Sequence, residues 1–199
     1  MKFFITHYTP LVDRKANIIS QLEKHGIIDY EFIELYDREK LNKSDLDKFS
    51  QIKLSEISLF LKHIEVFNSC SDDIIVVLED DAVLVDNFVN KLNQYLEELN
   101  KYSWDILFSG GCCDLHINQI TNNKHIYEST GSRGTCMYIL NKGVCNKIKD
   151  IINKETEIIK PIDHWFNDMN KKYGLKYFWS EPELVIQGSE IGLFKSVIR

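Results

Sequence analysis

The chain is poor in the residues that interrupt regular structure. Its 199 residues include 3 prolines and 9 glycines, too few for long loops or flexible linkers. No apolar run approaches the ~20 residues that span a bilayer. The opening MKFFITHYTPLVDRK turns polar at His7 and lacks the apolar stretch of a secretory signal, so a cytoplasmic location is expected. Positive charge is also in deficit, with 24 Lys and Arg against 30 Asp and Glu and a net charge of −6. That balance excludes a general nucleic-acid binder, which needs a basic face, and leaves room for a local basic pocket. The cysteines, Cys70, Cys112, Cys113, Cys136 and Cys145, are odd in number and show no CxxC spacing. They read as reduced thiols. Adjacent Cys112 and Cys113, followed by Asp114 and His116, make a poor zinc chelate. The sequon Asn42-Lys43-Ser44 reads as accidental.

What is present suffices for a core. Hydrophobic residues make up 44% and aromatics 12%, which excludes wholesale disorder. The length fits one domain over residues 1–199. Strand-like and helix-like segments alternate. Lys2–Thr6 is a short apolar run suited to a buried strand, and Val12, Ala16, Ile19 and Leu22 follow at helical spacing, with Gly26 as the stop. Tyr30–Leu35 reads as a second strand, and residues 37–53 as a polar excursion, partly helical. Ile57, Phe60, Leu61, Ile64 and Phe67 mark an amphipathic helix. Ile74–Leu78 is a continuous run of aliphatic residues, the signature of a central strand buried on both faces. A helix over Phe88–Leu99, a strand over Trp104–Phe108 and a strand over Thr135–Leu140 come next. A helix through Val144 and Ile152 carries Asn141 as its cap. Pro161 opens a last helix, and Lys176–Trp179 and Leu184–Gln187 read as strands. The β-α-β-α order predicts an α/β fold with a mainly parallel sheet.

The sharpest motif is Glu79-Asp80-Asp81, directly after the apolar strand. In parallel α/β sheets ligands bind beyond the carboxyl ends of strands. Crowded carboxylates there repel unless a cation or hydrogen-bond donor neutralises them, and hard oxygen ligands favour Mg²⁺ or Mn²⁺. The competing reading is an acidic turn before the next helix, with Asp86 as the cap.

Several blocks, in order, resemble family 25 of the glycosyltransferases, the lipopolysaccharide and collagen galactosyltransferase group. They are the first strand followed by Val12-Asp13-Arg14; Phe32-Ile33-Glu34-Leu35-Tyr36-Asp37; Leu61-Lys62-His63-Ile64-Glu65-Val66; Leu78-Glu79-Asp80-Asp81; Gly134-Thr135-Cys136-Met137-Tyr138-Ile139-Leu140; Pro161-Ile162-Asp163; and Glu181-Pro182-Glu183-Leu184-Val185-Ile186-Gln187. Two departures stand out. Lys62 takes the place of the family's usual Ser before His63, and His7 and Tyr8 are unusual after the first strand.

The resemblance implies a GT-A-type, Rossmann-like domain that moves a hexose, galactose or glucose, from a UDP-sugar to a hydroxyl of a glycan or protein acceptor. It implies Mn²⁺ or Mg²⁺ and inversion at the anomeric carbon. On this reading Asp81 and Glu79 are the metal ligands. Asp80 faces the sugar or supports the metal. Thr6, Arg14, Asp37, His63, Glu79, Thr135 and Gln187 line the donor site: Arg14 meets a phosphate, Asp37 accepts the uracil N3–H, His63 orients Glu79 or Asp80, and Thr135 lines the sugar. Gln187 and Ser189 belong to a carboxyl-terminal segment that closes over the diphosphate. Asp163 is the candidate base for the acceptor hydroxyl, with His164 and Asp114 as alternatives. Each has a plainer reading: Arg14 as a solvated helix arginine, Asp37 as a turn residue, His63 as a core histidine, Thr135 as an ordinary strand residue, and Asp163 as a stabiliser of its helix N-terminus. A Mg²⁺-dependent nucleotidyltransferase is the rival enzyme class. It usually opens with a Gly-rich loop, whereas Thr6-His7-Tyr8-Thr9-Pro10 has no glycine. A phosphoacceptor receiver would carry its paired acids after the first strand. An inactive homologue that binds sugar nucleotides is the non-enzyme alternative.

Overall fold

A computed structural model describes residues 1–111 and 115–196. Its elements follow in order: β1 (Lys2–Thr6), α1 (Val12–Lys24), β2 (Tyr30–Ile33), α2 (Lys43–Leu46), α3 (Leu54–Ser69), β3 (Ile74–Glu79), β4 (Ala82–Leu84), α4 (Phe88–Leu99), β5 (Ile106–Phe108), β6 (Gly110–Gly111), β7 (Ile126–Ser129), β8 (Met137–Asn141), α5 (Lys142–Lys154), α6 (Ile162–Tyr173), β9 (Tyr177–Ser180) and β10 (Val185–Gln187). The main sheet runs β2-β1-β3-β8-β5-β9-β7. Strands β1, β2, β3, β5 and β9 share one direction; β8 and β7 run against them. The sheet is therefore mainly parallel, with one reversed strand inserted at its centre.

Alternation along the strands divides the interior into two layers. Phe4, Val77, Tyr138 and Phe108 face α3, α5 and α6, while Phe3, Ile5, Val76, Leu78 and Met137 face α1 and α4. Each fully buried aliphatic contributes about 1.5–3 kcal/mol relative to exposure. The helices bury matching stripes: Ile18 and Leu22 on α1; Phe88, Leu92, Tyr95 and Leu99 on α4; Trp165, Phe166 and Met169 on α6. Asn141 caps α5 as expected, accepting from the Val144 backbone N–H at 3.0 Å.

Several boundaries differ from the sequence reading. β2 ends at Ile33, and Leu35 is exposed, because the chain leaves the sheet there to carry Asp37 inward. Asp86 does not cap α4. Asn87 holds that position with φ 58°, and Asp86 pairs with Lys24 at 3.2 Å on the surface. Residues 82–84, between the acidic motif and α4, form β4 and join a second sheet, β4-β10-β6. The expectation of five reduced thiols does not hold for two of them. Cys70, at the end of α3, and Cys145, in the first turn of α5, form a disulfide with Cα atoms 6.5 Å apart. The side-by-side packing of the two helices brings together cysteines 75 residues apart, which spacing along the chain does not reveal. Cys136 is buried, its Sγ 3.9 Å from the Gly111 carbonyl. Cys112, Cys113 and Asp114 lie outside the described residues. Among the described residues, no helix is long and apolar enough to cross a membrane.

Candidate active site

Strand β3 ends on Glu79 and β4 begins at Ala82, so the three acids sit in a tight turn at the carboxyl edge of the main sheet. All three are buried, at 8%, 5% and 2% exposure for Glu79, Asp80 and Asp81. They meet different partners. Asp80 is fully engaged. Its Oδ1 accepts from Arg14 Nη1 at 2.8 Å, and its Oδ2 lies 2.8 Å from His7 Nδ1 and accepts from the Tyr8 backbone N–H at 3.2 Å. With a carboxylate opposite, His7 Nδ1 is the ring nitrogen that carries the proton.

Arg14 comes from the first turn of α1 and is buried, not solvated. Its Nη1 stands 3.5 Å from Asp81 Oδ2, its Nη2 donates to the Lys195 carbonyl at 2.6 Å, and its guanidinium lies 5.3 Å from the centre of the Phe194 ring. The carboxyl-terminal segment thus closes over the acidic turn. Gly188 N–H donates to the Asp81 carbonyl at 2.8 Å. A Cβ at Gly188 would fall 2.7 Å from that oxygen, so only glycine allows this approach.

Glu79 and Asp81 are left short of positive charge. Burial and the neighbouring Asp81 charge push the Glu79 carboxyl up to about 8, against a 2.5 Å hydrogen bond from Thr135 Oγ1. Burial also raises Asp81, against a hydrogen bond from Ser189 and the Arg14 charge. Asp81 Oδ1 is buried with no hydrogen-bond partner among the described residues. Two buried carboxyls cannot both ionise without a compensating cation. The orphaned Asp81 oxygen and the raised Glu79 carboxyl beside it fit a hard divalent ion, which takes carboxylate oxygens and displaces protons on binding.

The other end of the cleft is built around Asp37. It is buried, and both its oxygens are occupied. Thr9 reaches it through its backbone N–H and its hydroxyl, while Lys62 Nζ and Lys40 Nζ each donate at 3.1 Å. Burial opposes its charge, but the hydrogen bonds from Thr9, Lys62 and Lys40 prevail and hold the carboxyl down at about 2. Lys62 is buried at 2% exposure and also donates to the Leu35 carbonyl. Its burial lowers its pKa. Thr6, His7, Tyr8, Arg14, Lys62 and Glu79 line one continuous cleft along this edge.

The remaining expected residues are spread more widely. Thr6 Oγ1 donates to the Leu78 carbonyl at 3.4 Å at the cleft wall. His63 is fully buried, with Nδ1 2.7 Å from the Tyr138 hydroxyl and not bonded to Glu79 or Asp80; burial lowers its pKa to about 3, so it is neutral. Thr135 bonds Glu79. Gln187 ends β10, and its carbonyl accepts from Glu190 N–H at 3.0 Å in the turn that presents Ser189. Asp163 lies in the first turn of α6, half-exposed, with its Oδ1 accepting from the His164 backbone N–H at 2.8 Å. Its negative charge is the smallest of the causes that raise the Glu79 carboxyl.

A second charged cluster has no counterpart in the sequence reading. Among the described residues, ligand atoms of His116, Glu181 and Glu183 lie within 4.8 Å of one another. Buried Arg133 occupies their centre, with Nη2 3.0 Å from Glu181, 2.9 Å from His116 Nδ1 and 3.8 Å from Glu183. The guanidinium supplies the charge a metal would otherwise provide. The only sequence cue was the spacing of Glu181 and Glu183 around Pro182.

The profile of Glycosyltransferase family 25 (LPS biosynthesis protein) matches residues 1–166, and the chain belongs to this family. No curated protein is similar enough in sequence to count as a match. Among solved structures, the glycosyltransferase involved in glycosylation of the major capsid of PBCV-1 aligns with a TM-score of 0.51 at 11% identity, covering 94% of this chain and 92% of that one. A197 from STIV aligns at 0.46 and 17% identity over 93% and 83%. The S. aureus TarS fragment in complex with UDP-GlcNAc aligns at 0.41 and 13% identity over 94% and 58%. Of these three only the first exceeds 0.5, and at such identity the likeness speaks to the fold, a GT-A-like glycosyltransferase architecture.

Proposed function

We propose that this glycosyltransferase moves a hexose from a UDP-sugar to a hydroxyl of a glycan or protein acceptor, with inversion at the anomeric carbon. The observation that carries the reading is the buried, charge-deficient pair Glu79 and Asp81 at the end of β3, beside Arg14. These two carboxyls would hold Mn²⁺ or Mg²⁺, and such an ion supplies charge neutralisation for the leaving diphosphate. Arg14 adds a fixed positive charge next to them. Asp80 does not touch the sugar in this scheme. It holds Arg14, His7 and the Tyr8 backbone in place through three hydrogen bonds, a positioning role.

The acceptor oxygen attacks the anomeric carbon as the bond to the diphosphate oxygen breaks, and the electron pair leaves with the diphosphate. The hydroxyl proton passes to Asp163, whose partly exposed carboxylate lies in the first turn of α6. Asp163→Asn is expected to lower turnover by about 10²–10⁴-fold while sparing donor affinity. Near-normal turnover with a lower melting temperature would leave it a helix-terminal residue, and the search would pass to His164 and Asp114.

The direct test is a donor screen by thermal shift with and without Mn²⁺. A UDP-sugar at ~100 times its Kd should stabilise the fold by about 2.7 kcal/mol. GDP- or CMP-sugars stabilising more than UDP-sugars would overturn the donor assignment.

A further inference from the structure

We infer that Lys62, not Asp37, is the side chain that reads the donor's base; the inference rests on the nucleotide-donor reading above. Asp37 was the expected acceptor for a base N3–H, but it has no capacity left. A carboxylate offers about four lone-pair sites, and the Thr9 N–H, the Thr9 hydroxyl, Lys62 and Lys40 supply four donors.

Lys62 has the opposite imbalance. An ammonium carries three N–H donors. Among the described residues two acceptors meet it, the Leu35 carbonyl and Asp37 Oδ1. The side chain is buried within the protein yet forms part of the cleft wall, beside Ser58, Leu59 and Tyr8. Its third N–H therefore has the cleft as its outlet.

Leu11 and Leu59 also line the cleft, Leu59 one turn before Lys62 on α3, and the Tyr8 ring lies against Arg38 at 4.8 Å. The cleft is also lined by the polar Ser55, Ser58 and Arg38, and a fixed ammonium donor beside the Leu59 and Tyr8 side chains suits a flat heterocycle bearing a ring carbonyl. Arg14, Asp80 and Glu79 line the other part of the same cleft, where the diphosphate belongs. Lys62 donates to a carbonyl oxygen of the pyrimidine, and Asp37 is a positioning residue that, with the Leu35 carbonyl, fixes the ammonium and keeps it charged.

Titration calorimetry of the full chain with UDP and with inorganic pyrophosphate, both in Mn²⁺, tests this. Lys62→Met keeps length and packing and removes the donor. Because it strands the buried Asp37 charge, the double variant Lys62→Met/Asp37→Asn is measured beside it, each with a melting curve. Affinity for UDP should fall about 10–100-fold in both, the loss of one charge-assisted hydrogen bond. Affinity for pyrophosphate, which has no base, should stay within about twofold. A folded variant whose UDP-to-pyrophosphate affinity ratio matches the wild type would overturn the role of Lys62. A wild-type protein that binds UDP no tighter than pyrophosphate would overturn the nucleotide-donor reading instead.

Discussion

Two carboxylate clusters sit in this protein, and each meets a buried arginine differently. At the end of β9, Arg133 lies among Glu181, Glu183 and His116, 3.0 Å from Glu181, so the guanidinium occupies the centre of the group. At the end of β3, Arg14 is drawn aside. It grips Asp80 at 2.8 Å and Lys195 at 2.6 Å, and stands 3.5 Å from Asp81. Glu79 has no cation partner among the described ion pairs. In the first cluster the guanidinium reaches all three members, and the group reads as architecture. The second keeps a deficit, and a deficit of positive charge inside a cleft is what a diphosphate-bound cation can fill. Convergence of ligand atoms alone would have ranked the two clusters the other way, since among the described residues His116, Glu181 and Glu183 are the group whose ligand atoms converge.

The comparison breaks most readily at Asp81. Asp81→Asn should reduce metal-dependent transfer by about 10³-fold or more, since an amide cannot balance a divalent charge and effects of a few kcal/mol are usual for such groups. Unchanged Mn²⁺-dependent transfer would place the catalytic deficit elsewhere.

Arg133→Met comes next. Removing the guanidinium leaves Glu181 buried and uncompensated, and breaking a buried pair costs about 3–5 kcal/mol. Chemical denaturation measures this directly. A loss below about 1 kcal/mol would mean the cluster is solvated in solution and not the closed unit described.

The most gradual effect is a pH slope. The Glu79 carboxyl is raised from 4.5 to about 8, so the folded state binds a proton that the unfolded chain releases. Stability from this group is full below about pH 4.5 and is lost as pH rises towards 8, by up to about 1.4 kcal/mol per pH unit. Glu79→Gln should flatten that part of the profile, and saturating Mn²⁺ should do the same in the wild type by replacing the proton. A profile that Glu79→Gln leaves unaltered would show that Glu79 is already ionised.

Much of the fold was legible in the sequence. The apolar run Ile74–Leu78 marked the central strand, and the stripes of α1, α4 and α6 appeared at helical spacing, because burial on one or two faces writes itself into local periodicity. The strand over β8 was legible but not its reversed direction, and the three-residue β4 was not legible at all. Strand direction depends on how the chain returns to the sheet, and three residues carry no period.

The acidic turn was legible as a motif, but the fates of its members were not. Whether Asp80 or Asp81 is satisfied depends on His7, Arg14 and Ser189, which arrive from positions far along the chain. The Cys70–Cys145 disulfide and the clamp of Lys62 on Asp37 share this property. Each joins residues whose meeting is set by helix packing against the sheet.

The sequence by itself determined the family, the alternating α/β order and the location of the acids at a strand end, since these rest on local pattern and ordered blocks. Only the tertiary structure decided which charges are compensated. Charge compensation acts over a few ångströms in a low-dielectric interior, and those short distances join Arg14 to Asp80, Lys62 to Asp37 and Arg133 to Glu181 across separations of 66, 25 and 48 residues.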